Sequence, residues 1–347
     1  MKKLILILLL LSGLAIPARA EELVAPPAPG SAQELMPPET ESFGEGLLFV
    51  IKSAIQTIQP EITIGCRICL SVLAVVILIS VLNGFSEHSK KVTEFAGTIA
   101  VACLLLGSAN TLIADALDTV TELSEYGKLL LPVMATALAA QGGVSGSAAI
   151  YSATAMFDAL LCGLISRILV PMIYVYMALS IGCAAIGEDL LKRLRDFVKW
   201  LISWILKTTM YIFTGYITIT GVVCGTTDQA ALKAAKLTIS GAVPVVGGIL
   251  SDASEAVLVS AGVVKNAVGV YGLIAVAAIA IGPFLRIGIQ YLLMKLTAAV
   301  CGVFGSKKIT DLIGDFSTAM GIGLAMTGAV CLILLISMVC FMKGVGV

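Results

Sequence analysis

AVPVVGGILSDASEAVLVSAGVVKNAVGV, residues 242–270, is the stretch on which the architecture turns. It is mostly apolar, yet it carries Pro244, the pair Gly247 and Gly248, the acids Asp252 and Glu255, and Lys265. No uninterrupted part reaches the roughly twenty apolar residues that a comfortable transmembrane helix needs. It is also too apolar for an ordinary surface loop. Thr238–Leu250 and Ala253–Val264 each amount to about half a span, joined at Ser251-Asp252. We read them as a re-entrant pair of half-helices, since irregular backbone at membrane depth is tolerated only inside protein or beside a water-filled cavity. Gly247 and Gly248 let neighbouring helices approach closely. Asp252-Ala-Ser-Glu255 has the form of a capping box, with Asp252 accepting from free N–H groups and Glu255 reaching back. The functional alternative is that Asp252, Glu255 and Lys265 line a polar path, because ionisable groups in membrane segments face an interior or a cavity.

The rest of the chain sets the class. Of its 347 residues, 59% are hydrophobic and 13% charged, about half the charged share of a soluble domain. This is an all-α, polytopic membrane protein, with the lipid bilayer as its first partner. Net charge is zero, which leaves no electrostatic case for nucleic acid. Residues 1–20, MKKLILILLLLSGLAIPARA, read as a signal peptide: Lys2 and Lys3, a short apolar core, and Ala-Arg-Ala at the cleavage site. The alternative is an uncleaved anchor. Residues 21–46 hold five prolines, six glutamates and no basic residue, the composition of a disordered exported tail. Nine cysteines are scattered through apolar segments as small buried hydrophobes. The lone CxxC, Cys66 to Cys69, has no second ligand pair, and His88 is the only histidine. With no HExxH and no Walker A motif, we expect no enzyme, no cofactor and no metal.

Lys and Arg favour the cytoplasmic side, and that orders the crossings. Leu47–Ile58 reads as an interfacial helix. Cys66–Leu82 crosses first, and the loop with Lys90 and Lys91 lies inside. Phe95–Ala114 returns to an outside loop rich in acids: Asp115, Asp118, Glu122 and Glu125. Leu129–Ala140 and Ala148–Phe157 form the first short pair around the turn at 141–146. Ala159–Ile186 crosses to the most basic loop, 187–199, and Trp200–Cys224 crosses back. After the second short pair, Val268–Val303 leads to Lys307 and Lys308 inside, and Ser317–Phe341 ends outside. That makes about six transmembrane helices plus two re-entrant half-helix hairpins.

The two halves share a pattern. Pro132 and Pro171 lie 39 residues apart, as do Pro244 and Pro283. If each short pair crossed once, the halves would be inverted and one basic loop would face outside. If each short pair enters and leaves on one side, both basic loops stay inside. We therefore read a parallel internal repeat: an N-terminal transmembrane pair at 47–128, one unit at 129–224 and another at 225–347. Other embedded charges are Arg67, Asp158, Arg167, Lys207, Arg286 and Lys295. Lys207 and Lys295 reach an interface by snorkelling, whereas Arg167 and Arg286 lie deeper and join the candidate pore-lining set. Parallel repeats with broken helices also suit a stand-alone secondary transporter of a small solute.

PVVGGILSDASEAVLVSAGVVKNAVGVYG (244–272), with LLPVMATALAAQGG at 130–143 and an exported tail before the crossings, resembles the stage III sporulation protein AE family. The resemblance covers about residues 45–347, and QGGVSGSAAIYSA matches it less closely. It implies a role in endospore formation, as a subunit of a multiprotein export channel between mother cell and forespore. It implies a place in the mother-cell membrane around the forespore. Its implied partners are other stage III operon proteins, including an ATPase and ring-forming membrane proteins. The resemblance brings no catalytic residues.

Overall fold

A computed structural model describes residues 25–38, 42–85, 90–242, 247–304 and 307–343, with the side chains at 31, 85, 90, 221–261 and 304 outside the description. Its described residues are almost wholly helical. After a single turn, α1 (Gly30–Gln33), comes the amphipathic α2 (Phe43–Thr57). Ser42 caps α2 by accepting from the Glu45 N–H, and Gly46, Val50 and Ala54 form its buried stripe. A helix was expected at Leu47–Ile58, and α2 supplies one that starts at Phe43. The helices α3 (Gln59–Phe85) and α4 (Lys90–Ala140) follow. Next are α5 (Val144–Leu164), a π segment (Ile165–Leu169) and α6 (Val170–Ile186). The chain continues through α7 (Asp189–Ala242), α8 (Gly247–Phe304) and α9 (Lys307–Lys343).

Five stretches among the described residues are long and apolar enough to cross a membrane: Gln59–Gly84, Lys91–Ala140, Val144–Ile186, Gly262–Val303 and Lys307–Lys343. They contain five of the six expected crossings. The sixth, Trp200–Cys224, lies on α7 and runs into residues whose side chains are outside the description.

The helices are longer than the sequence reading made them. With 51 residues, α4 is about 76 Å long at 1.5 Å per residue, against a hydrocarbon core of about 30 Å. The acidic stretch expected as an outside loop is part of it. Asp115, Asp118, Glu122 and Glu125 alternate with Ala116, Val120, Leu123 and Tyr126, which are buried. The spacing puts acids and core on different faces of one helix. The first short run is likewise the end of α4, and the second is the start of α5. They are joined by Gln141-Gly142-Gly143, where Gly142 has φ +88°.

A second difference concerns residues 242–270. The backbone is helical without a break from Gly247 to Phe304, so no reversal occurs at Ser251-Asp252. Asp252 stands within a helix, not at its N-cap position. Ser and Asp are tolerable inside a helix, and here the long apolar periodicity that follows overrides their capping preference. Residues 243–246, Pro244 among them, lie outside the described residues.

Prolines at the other expected positions are absorbed. Pro132 and Pro283 lie within α4 and α8. Pro171 is the second residue of α6, one residue past the π segment. A proline inside a helix lacks an N–H for the i−4 carbonyl and crowds it; for Pro171 that carbonyl belongs to Arg167, in the widened π turn.

Two ends of the bundle are defined by contacts. Gly187 (φ +83°) joins α6 to α7, and a Cβ there would lie 2.9 Å from Lys308 Nζ. The two basic stretches expected on one side of the membrane are thus neighbours. At the opposite end α8 passes Gln141 at Gly262. Along their length α8 and α9 run antiparallel in one register, with Gly269 beside Met342, Gly272 beside Met338, Tyr291 bonded to Ser317 and Gly302 beside Thr310.

The end with the 141–143 turn also holds residues 25–36. Expected as part of a disordered tail, this segment lies on the bundle. Ala32 is fully buried, Tyr271 Oη accepts from the Ala28 N–H, and Tyr126 Oη donates to the Pro26 carbonyl. Prolines lose little backbone freedom on ordering, and two tyrosines supply partners for the backbone groups that are covered.

Candidate functional site

Long helices in an apolar medium need polar contacts to fix which neighbours they take. The described residues hold three such clusters, each linking helices far apart in sequence.

The first is centred on Arg286. Its position on α8 lets the guanidinium donate to Asp115 of α4 at 2.8 Å and to Glu61 at the start of α3. One planar fork thereby engages two carboxylates from two helices, a geometry a lysine does not reproduce. All three side chains are partly exposed. The sequence reading singled out Arg286 as an embedded charge, and the structure makes it a clamp between helices.

At the basic end a second cluster joins α6, α7 and α9. Arg195 Nη1 donates to Asp315 Oδ2 at 2.6 Å, and Tyr176 Oη donates to Asp315 Oδ1 at 3.1 Å. Arg195 also reaches Asp196 at 2.8 Å. Burial alone would lower the Arg195 pKa, but the Asp196 and Asp315 carboxylates outweigh it and hold the group above its ordinary range. Over this cluster lies a polar cavity of about 150 Å³, with Lys192, Lys308, Glu188 and Asp311 in its lining. Asp189, Arg195 and Asp315 line it as well, so acids and bases alternate around the cavity.

The third cluster is buried and crosses α4, α5 and α9. Ser124 Oγ donates to Asp158 Oδ2 at 2.6 Å. Asp158 Oδ1 is buried with no donor among the described residues. One turn earlier on α5, Thr154 Oγ1 donates to Ser337 Oγ of α9 at 2.6 Å.

The remaining predicted residues fall as follows. Pro244 lies outside the described residues. Gly247, Gly248, Asp252 and Glu255 lie on α8, but their side chains are outside the description. Lys265 is buried on α8. Arg167 is exposed on the π segment, so it is separate from the clamp around Arg286. Asp158 was visible in the sequence as an embedded charge, whereas Tyr176 and Asp315 were not singled out. Their signal is weak: a tyrosine in an apolar run, and an acid at the edge of a basic loop.

Between α7, α8 and α9 a lateral groove of about 640 Å³ opens, almost wholly apolar. Ala277, Ala280, Gly321, Ala325 and Gly328 form its small-residue floor, with Lys207 and Tyr211 on one wall. Within the bundle, a cavity between Leu105, Gln290 and Phe316 measures only about 10 Å³. Among the described residues no three histidine, cysteine or acidic side chains converge as metal ligands.

Comparison with known proteins places this arrangement. The family model described as "Stage III sporulation protein AE" matches residues 41–344. A stage III sporulation protein AE of Bacillus subtilis (strain 168) is 25% identical over 248 residues, covering 71% of this chain and 62% of the relative. The matched region therefore spans less than two thirds of that relative's length. No solved structure matches.

Proposed function

We propose, because this chain belongs to the stage III sporulation protein AE family, that it is a non-catalytic membrane subunit of an export channel between mother cell and forespore. It would sit in the mother-cell membrane around the forespore. Its partners would be other stage III operon proteins, an ATPase and ring-forming membrane proteins among them. The family resemblance implies this assembly, and the membrane-spanning helices fit it.

The observation that carries a subunit role over a stand-alone transporter is the packed interior. Tyr126, Tyr176, Phe213, Phe316 and Phe341 are fully buried among the helices. A secondary transporter keeps a substrate site near the bilayer midplane, between its repeats. Among the described residues a groove of about 640 Å³ faces sideways, where a neighbouring molecule would meet it. A chain that is filled inside and open at the side suits assembly.

The test compares two preparations. Affinity-tagged protein from sporulating cells should bring down the other stage III proteins, and sporulation should fail when the chain is removed. The purified chain alone in liposomes should move no small solute. Solute uptake by the chain alone, without partners, would support the transporter reading instead.

A further inference from the structure

One acid is sealed inside the bundle without the partners a charged carboxylate needs. Asp158 of α5 is 3% exposed. Among the described residues Ser124 of α4 is its one side-chain hydrogen-bond partner, at 2.6 Å from Oδ2, and Oδ1 is buried with none. An ionised carboxylate out of water calls for several donors or a counter-ion. The ion pairs of the described residues, at Arg195 and Arg286, leave Asp158 out. On α4, Glu125 and Lys128 near Ser124 are both exposed. On α5 the titratable neighbour is the Cys162 thiol, one turn on. At this level α9 presents Ser337, bonded to Thr154, and α7 lays Phe213 and Tyr216 against Phe157. Lys128 is the one cation among these groups, and it stands outside the packed interior.

A metal ion at Asp158 would need room for its ligands, and Asp158 lines none of the three cavities described above. A proton needs no room. The Ser124–Asp158 pair can also carry one, because a hydroxyl both donates and accepts. With Asp158 ionised, Ser124 donates to Oδ2. With a proton on Oδ2, the acid donates to Ser124 Oγ. The Ser124 hydroxyl then turns to the Val120 carbonyl, one turn back on its own helix, as serines in helices commonly do. Cys162 Sγ already approaches that carbonyl, at 3.9 Å. Oδ1 becomes a neutral carbonyl oxygen, which costs less to leave unpaired than a charged one.

We propose that Asp158 is a proton-binding site, occupied while α5 is seated against α4 and α9 and emptied when they part. Ionisable groups at membrane depth serve as proton sites where water is excluded around them. Loss of the proton leaves a bare negative oxygen in the seam where three helices meet, next to the Thr154–Ser337 bond that ties α5 to α9. The packing of α5 is thereby linked to proton supply. The assignment does not depend on the channel role proposed above.

The test reads the proton directly. The full chain, isotope-labelled at its aspartate carboxyls, is reconstituted in bilayers and its infrared spectrum taken in heavy water at neutral pH, where exposed aspartates are ionised. A carboxylic acid C=O band should be present and should vanish in Asp158→Asn. In Ser124→Ala the band should remain and move to higher frequency, because the acid loses its acceptor. That variant keeps the assignment open to test even where Asp158→Asn fails to fold. No such band in the natural protein, or a band that survives Asp158→Asn, would overturn the proposal. A band abolished by sodium chloride at constant pH would overturn it in favour of a cation site. The link to packing is read from unfolding temperature. The folded chain holds a proton that the unfolded chain releases at neutral pH, so stability falls as pH rises. The natural protein should lose about 2 °C per pH unit relative to Asp158→Asn, until the site empties. Parallel curves for the two proteins would overturn the link.

Discussion

Asp315 receives a guanidinium and a phenol from two other helices, so its removal leaves the half-buried Arg195 with only Asp196 beside it. Asp315→Ala should lower stability by about 2 kcal/mol, between the values for exposed and buried pairs. Thermal unfolding in detergent checks this, and a double-mutant cycle with Tyr176→Phe should show coupling. Ser124→Ala should cost about 2 kcal/mol, because Asp158 then has both carboxylate oxygens buried without a donor. An unchanged melting temperature would contradict the assigned contact. At this scale the sequence was partly legible. Arg286 and Asp158 stood out as charges in apolar runs, but their partners did not. Glu61 lies 225 residues from Arg286, and hydropathy read along a chain says nothing about which distant acid a cation will meet. Asp315 was hidden because an acid beside two lysines reads as loop chemistry until the helix that contains it is known.

Helix identity was legible and helix length was not. The acids from Asp115 to Glu125 suggested an outside loop by composition, although their spacing already fitted one face of a helix whose other face is Ala116, Val120, Leu123 and Tyr126. Composition was weighed above period there, and period won. The reverse happened at Ser251-Asp252, where a genuine capping pattern lies inside a longer helix. A Gly-rich turn was expected at 141–146 between two half-spans, and the chain turns at 141–143 between two long helices, where glycine relaxes into a left-handed conformation at little cost. Gly142→Ala, at φ +88°, should cost about 1 kcal/mol, and Gly187→Ala somewhat more, because its Cβ also meets Lys308 Nζ. Gly272 tests packing: a Cβ there would lie 2.8 Å from both Leu130 Cδ2 and Met338 Cε. Gly272→Val should destabilise by about 1–3 kcal/mol through overpacking, visible as a lower unfolding temperature at unchanged helix content.

Across the whole molecule, the charge argument placed residues 187–199 and 305–315 on one side of the membrane, and the contact of Gly187 with Lys308 brings those stretches together. Single cysteines at positions 190 and 310 should label from the cytoplasmic side, and one at 144 from the opposite side. Labelling of 190 and 310 from opposite sides would refute this topology. That the two basic stretches share one end of the bundle was readable from signs of charge, because the cost of moving a cation through lipid is large and local. The docking of residues 25–36 was not, because prolines and glutamates say little about a surface built by Tyr126 and Tyr271 from two distant helices. One further result follows from the antiparallel register of α8 and α9. Glycine contacts and a side-chain hydrogen bond pin it at four levels, so a slip of one turn would unseat all four together. The two helices are therefore locked against sliding, and a side chain enlarged at any one level is felt along both.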